Sequence, residues 1–430
     1  MTNRILALLI FFTTISFADN LTPIEKQIAD AAKQSSDDAI ALLEKVVNIN
    51  SGTMNPEGVT QVGKIFAKEF EALGFEVRWI PQEQVHRAGH LFAERKGSKG
   101  KRILLIGHLD TVFEKESAFS PFTKKGTRAT GQGVNDMKGG DVIALYALKA
   151  LHKYGALENT SIIVAFTGDE EMEGEPIEVS RKDLLEAGKR SDIALGFESA
   201  EGLDTGTIAR RGIGSWTLQV KGKTAHSSGI FGKDGYGAVF EAARILNSFR
   251  SEMAGEELLT FNPAVILGGT EVTFDSELSK GTAFGKTNVI PQTVTVTGDL
   301  RTISDEQKDK VRERMKKIVS ENLPGTSAEI SFVDGYPGMA PTDRNKKLLS
   351  FFDQVSRDLG FSPIVPFDPG KRGAADISFV ANDDAALDGL GASGNGGHSP
   401  EEDIDLEAMP LLLQRAALLI YRLTNTDQYK

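Results

Sequence analysis

At 430 residues, 40% hydrophobic and 25% charged, the chain has the make-up of an ordinary globular protein and the length for two domains. Its acidic balance, 60 Asp and Glu against 49 Lys and Arg for a net charge of −11, argues against nucleic acid as the main partner. The absence of cysteine excludes disulfide staples and thiolate metal sites.

At the N-terminus, Arg4 precedes the apolar stretch Ile5–Phe12 and then Ser16-Phe17-Ala18. This signal-peptide pattern predicts that residues 1–18 are removed between Ala18 and Asp19, and that the mature protein is exported to a periplasm or secreted. The apolar core is too short to span a bilayer, so no membrane partner is expected after cleavage. Helical apolar spacing then covers Thr22–Val47 and Val59–Leu73, the second ending at Gly74. Strand-like runs follow at Glu76–Ile80, Ile103–Ile106, Ser161–Phe166 and Ile193–Phe197, with a helical pattern at Val142–Tyr154 between two of them. Such alternation predicts an α/β domain with a mixed, largely parallel sheet flanked by helices.

From about Arg210 the texture changes. Ser215–Lys221 alternates as a strand with one solvated face does, and a helical pattern covers Ala238–Phe249. Strands at Ala264–Phe274 and Thr293–Leu300, a helix at Asp305–Glu321 and a strand at Ala328–Val333 complete a compact α+β unit. Helical patterns return at Lys346–Leu359 and Leu406–Thr424. The predicted organisation is a catalytic domain in two parts, residues 19–209 and 334–430, with an insert at 210–333.

The chemistry-bearing residues cluster where strands end. His108 and Asp110 leave Ile103–Ile106, and residues two apart on an extended chain point the same way. Asp136 lies in the Gly-rich stretch Gly131–Gly140, Asp169-Glu170-Glu171 follows Ile162–Thr167, Glu198 follows Phe197, and His398 stands in Gly396-Gly397-His398-Ser399-Pro400-Glu401-Glu402. Each has a bland reading: a loop histidine, a helix cap, a turn, a solvated charge run. Ligands in open α/β sheets nevertheless gather beyond strand C-terminal ends, where these residues fall. Two imidazoles with several carboxylates suit two zinc ions, with manganese or cobalt as substitutes.

Taken in order, these motifs resemble the dinuclear-zinc exopeptidase family of glutamate carboxypeptidase, acetylornithine deacetylase and succinyl-diaminopimelate desuccinylase. The resemblance covers nearly the whole mature chain and extends to Gly222-Lys-Thr-Ala-His226-Ser, Thr287-Asn288-Val-Ile-Pro and Asp299-Leu-Arg301 in the insert. It departs at Gln132, where many relatives carry Arg. The resemblance implies that His108, Asp136 and Glu198 hold one metal, and Asp136, Glu171 and His398 the other. It implies that Asp110 orients His108, that Glu170 is the general base and acid, and that the Asp136–Met137 peptide is cis. From the insert, it implies a homodimer in which His226 completes the partner's site, with Asn288 and Arg301 anchoring substrate. Arg suits a free carboxylate because its planar fork binds both oxygens, and Arg372 is a second candidate for that role. The implied activity is hydrolysis of an amide beside a free carboxylate, in a peptide or an N-acyl amino acid.

Overall fold

The computed structural model describes residues 21–276 and 278–429. The expected signal peptide lies outside them. Among the described residues no helix is long and apolar enough to cross a membrane.

One six-stranded sheet carries most of the chain. Its order is Glu76–Gln82, Arg87–Arg95, Thr160–Thr167, Lys99–His108, Ile193–Gly196 and Ala385–Leu387. Arg87–Arg95 is antiparallel to both its neighbours and the other pairings are parallel, so the sheet is mixed and largely parallel. The run Ile103–Ile106 is apolar at every position because both faces are covered. Ile103 and Leu105 pack into a core with Val142 and Leu145 of the helix Lys138–His152, while Leu104 and Ile106 pack with Leu184 and Ala187 on the opposite face. Burying each of these side chains stabilises the fold by roughly 1.5–3 kcal/mol.

Topology then decides where a ligand can sit. The chain leaves the strand Lys99–His108, forms the neighbour Thr160–Thr167 on one side, and crosses to form Ile193–Gly196 on the other. Strand order reverses at Lys99–His108, so a crevice opens beyond its C-terminal end.

A second, antiparallel sheet has the order Thr260–Gly269, Thr293–Thr302, Gly212–Gly222 and Thr326–Asp334. Helices Gly237–Met253 and Asp305–Ser320 cover one face, closing a core of its own around Trp216, Leu218, Val296, Phe249 and Met315. Val294, Val296 and Leu300 point into that core, and the alternating Thr293, Thr295, Thr297 and Arg301 lie on the other, partly exposed face. The chain enters and leaves this unit at one crossing, where Arg210 pairs with Met339 and the Ile213 N–H donates to the Tyr336 carbonyl.

Two of the expected elements take a different form in the structure. Thr22–Val47 forms two helices, Pro23–Gln34 and Ser36–Val47, because Ser35 and Ser36 turn their hydroxyls back onto the Ala32 and Lys33 carbonyls. The expected strand Ala264–Phe274 stops at Gly269, and Glu271–Asp275 pairs instead with Lys280–Phe284 in a separate hairpin. The Phe284 carbonyl would lie 2.5 Å from a Cβ on Gly269, so the returning strand needs glycine there.

Candidate metal centre and cleft

The parallel register sets His108 beside Thr167 and Ile106 beside Gly196, so side chains that follow the three strands meet at one place. Asp110 fastens two of these ends together. Its Oδ1 accepts from the Glu170 N–H (3.0 Å), and its Oδ2 accepts from the Glu171 N–H (3.1 Å) and the Thr53 hydroxyl (2.6 Å). His108 Nδ1 lies 3.1 Å from the Asp110 carbonyl and 3.5 Å from its carboxylate. The other ring nitrogen therefore faces the crevice, where Nε2 is 3.2 Å from Asp136 Oδ1 and 3.5 Å from Glu198 Oε1. The second oxygen of Asp136 is 3.2 Å from His398 Nε2, which is itself 3.1 Å from Glu171 Oε2. Asp136 thus stands between the two histidines, one oxygen toward each, and the Asp136–Met137 peptide is cis.

Zinc-class cations fit this donor set. Ligand atoms of His108, Asp136 and Glu171 lie within 4.8 Å of one another, as do those of His108, Glu170 and Glu198. Glu171 Oε1 is buried with no hydrogen-bond partner among the described residues, although the other oxygen reaches His398. Burial, with Asp136 beside it, pushes the Glu171 carboxyl up to about 7, while Asp136 and Glu171 push the His398 imidazole up to about 11. The cluster draws positive charge, and only nitrogen and oxygen donors face it.

A cleft of about 510 Å³ opens over these groups and includes Asp136, Glu170, Glu171, Glu198 and His398 in its wall. Arg372 is in the same wall. The three insert residues are elsewhere. His226 is exposed, with Nδ1 2.8 Å from the Ser228 hydroxyl, and pairs through its backbone with Val289, which sets it beside the exposed Asn288. Arg301 lies on the partly exposed sheet face against Asp299 (3.1 Å).

A model of peptidase family M20/M25/M40 matches residues 104–422, a span that takes in every one of these groups. The chain belongs to that family. Carboxypeptidase G2 of Pseudomonas sp. (strain RS-16) is 28% identical over 400 residues, covering 91% of this chain and 90% of that protein. A succinyl-diaminopimelate desuccinylase of Alkalilimnicola ehrlichii is 26% identical over 342 residues, covering 76% of this chain and 84% of its own. Among solved structures, an aminopeptidase of Bacillus cereus ATCC 10987 shares the fold, with a TM-score of 0.69 at 18% identity over 90% of this chain and 98% of that one. The chain is accordingly a hydrolase of a metallopeptidase family, with candidate metal-binding residues in place.

Several supporting residues of this M20 centre escaped the sequence reading. Glu402 accepts hydrogen bonds from the N–H groups of Gly133, Asn135 and Asp136 at 2.7–2.8 Å, and so holds the loop that carries Asp136. Behind Glu170, the fully buried Arg181 bonds Asp169, Asp376 (2.7 Å) and the Tyr336 hydroxyl (2.6 Å), and that hydroxyl donates to the Glu170 carbonyl (3.0 Å). The nearest sequence signal was the acidic tail of the His398 motif, where Glu402 reads as a solvated charge. Glu402→Gln sets an amide NH2 against at least one of these backbone N–H groups. It is expected to cost about 10–100-fold in metal affinity or activity, the usual effect of losing a group that orients a ligand. Metal titration of the apo variant checks this, and wild-type affinity would show that Asp136 is held without Glu402.

Proposed function

We propose that the protein is a carboxypeptidase-type M20 hydrolase that cleaves an amide bond beside a free carboxylate. The observation that carries the reading is Glu170. It is an acid in the cleft wall next to a cluster of metal-donor groups, with its amide N–H held by Asp110 and its carbonyl by Tyr336. His108, Asp136 and Glu198 would hold one zinc-class ion, and Asp136, Glu171 and His398 the other. Bound there, the ions would acidify a water and polarise the scissile carbonyl. Glu170 would take the proton from the attacking water and hand it to the departing amine nitrogen. Burial first, then the Glu198 and Asp376 carboxylates, raise its carboxyl well above the usual range, against the pull of His108.

The free carboxylate is assigned to Asn288 and Arg301, delivered by the insert of a second copy together with His226. The insert carries the apolar surface that such a homodimer needs: Phe231 (58% exposed) stacks edge-on with Phe240 (49%), and Ile266 (57%) lies on the outer strand Thr260–Gly269. N-acyl amino-acid deacylation is the second reading, favoured by similarity to a desuccinylase, a protein named for removing an acyl group. A panel of peptides and N-acyl amino acids, scored by mass spectrometry, separates the two. Turnover should need about two divalent ions per chain and stop on chelation. Hydrolysis by metal-free protein would sink the assignment.

A further inference from the structure

Five arginines are buried among the described residues, and four of them answer a carboxylate. Arg181 pairs with Asp169 and Asp376, Arg210 with Asp388, Arg372 with Glu201, and Arg422 with Glu25 and Asp358. Arg415, 3% exposed on the helix Met409–Asn425, is the exception. Its Nη1 donates to the Leu203 carbonyl (2.6 Å) and its Nη2 to the Ser356 hydroxyl (2.8 Å), both neutral acceptors. The Phe361 ring lies against the guanidinium, 5.5 Å from its carbon to the ring centre. Nε is buried with no hydrogen-bond partner among the described residues.

Arg415 lines a small cavity together with Ala200, Gly202, Phe352, Leu390 and Leu412, and no acidic side chain among the described residues is in that wall. Asp204, next after Leu203, is exposed and acts on Arg415 through its charge alone. Burial outweighs it and pulls the guanidinium down to about 10. A buried cation left in this way is costly, and so is a buried N–H without an acceptor. An anion in the cavity answers both. The size of the space sets the class of anion: at about 10 Å³ it takes a single water-sized species. Carboxylate, sulfate and phosphate are too large, and water brings no charge. A halide is little larger than water and supplies the missing negative charge, which the apolar wall screens weakly.

We infer that Arg415 and this cavity form a buried halide site, taken by chloride. The site lies behind the cleft, since Ala200 stands in the wall of both. Ala200 is two residues past Glu198, and the N–H of Gly391, the neighbour of Leu390, donates to the Glu198 carbonyl (3.0 Å). Bound chloride therefore ties the segment that carries Glu198 to the C-terminal helix, whichever bond the cleft cleaves.

Thermal unfolding of the zinc-loaded full-length protein reads the site, with sodium gluconate exchanged for sodium chloride at constant ionic strength. Chloride should raise Tm by about 2–4 °C, and the rise should level off as one folded-state site fills. Chloride also ligates zinc, so Arg415→Met is the control. It keeps much of the side chain's bulk, removes the buried charge, and should leave a Tm that chloride does not move. A chloride shift of wild-type size in folded Arg415→Met puts the ion elsewhere and overturns the inference, as does a wild-type Tm that chloride leaves unmoved. If Arg415→Met does not fold, wild-type crystals soaked in sodium bromide decide. An anomalous peak at the bromine absorption edge is expected beside Arg415 Nε. An empty cavity, a water in it, or the Asp204 carboxylate turned in against Arg415 overturns the inference.

Discussion

Glu170→Gln protein is expected to fold, keep its metal, and lose about 10²–10⁴-fold in kcat, the span over which general acid–base groups act. The replacement preserves the backbone contacts that hold position 170, since the Asp110 carboxylate and the Tyr336 hydroxyl grip its N–H and carbonyl rather than its side chain. What glutamine cannot do is accept a proton from water and return it to the leaving nitrogen. The competing possibility is that Glu170 is itself a ligand, since its carboxylate lies within 4.8 Å of donor atoms of His108 and Glu198. Elemental analysis separates the two roles. Glu171→Gln should lose metal as well as turnover, because Glu171 reaches His398 and its other oxygen is buried without a partner among the described residues. A Glu170→Gln protein with near-normal kcat would mean that another group moves the proton, and one that lost its metal would make Glu170 a ligand.

What could be read in the sequence was whatever follows from short-range pattern. Ile103–Ile106 is apolar at four successive positions, which marks a strand covered on both faces, and strand ends are where α/β sheets place their ligands. His108, Glu170 and Glu198 could be located by that rule, although the three strands are far apart in sequence. Groups that act across long separations carry no such mark. Glu402 binds amides 266–269 positions away and Arg181 reaches Asp376 across 195, yet both stand in stretches that look like surface charge. Arg210 is hidden for a different reason. It falls where one texture gives way to another, and a boundary residue has no periodicity to say which way it faces. Arg87–Arg95 carries no strand signal because only Leu91 to Ala93 form an apolar run, with His90 before it and charged residues at both ends. His226, Asn288 and Arg301 show the limit from the other side. Their motifs are plain in the sequence, but a single chain does not bring them to its own cleft.

Mixing two inactive proteins, His226→Ala and Glu170→Gln, should restore activity. His226 is exposed on the insert and is absent from the cleft wall of its own chain, whereas Glu170 is in that wall. If His226 serves the partner's site, each homodimer fails for its own reason: one lacks the His226 that completes the partner's site, the other the base. In a mixed dimer, the chain carrying His226→Ala keeps Glu170 and receives His226 from its partner, so one of the two sites is complete. Random re-pairing makes about half the dimers mixed, which gives about a quarter of wild-type activity, provided the interface is two-fold symmetric. The apolar surface around Phe231, Phe240 and Ile266 is the expected contact, and Phe240→Asp should release monomers. Activity of the equimolar mixture, followed over the time of subunit exchange, is the readout. A fully active monomer by ultracentrifugation would defeat the idea. No rescue in a mixed dimer verified by mass spectrometry would return His226 to its own chain's site, which then requires the insert to swing on the crossing at Arg210 and Met339 and bring His226 over the cleft beneath it.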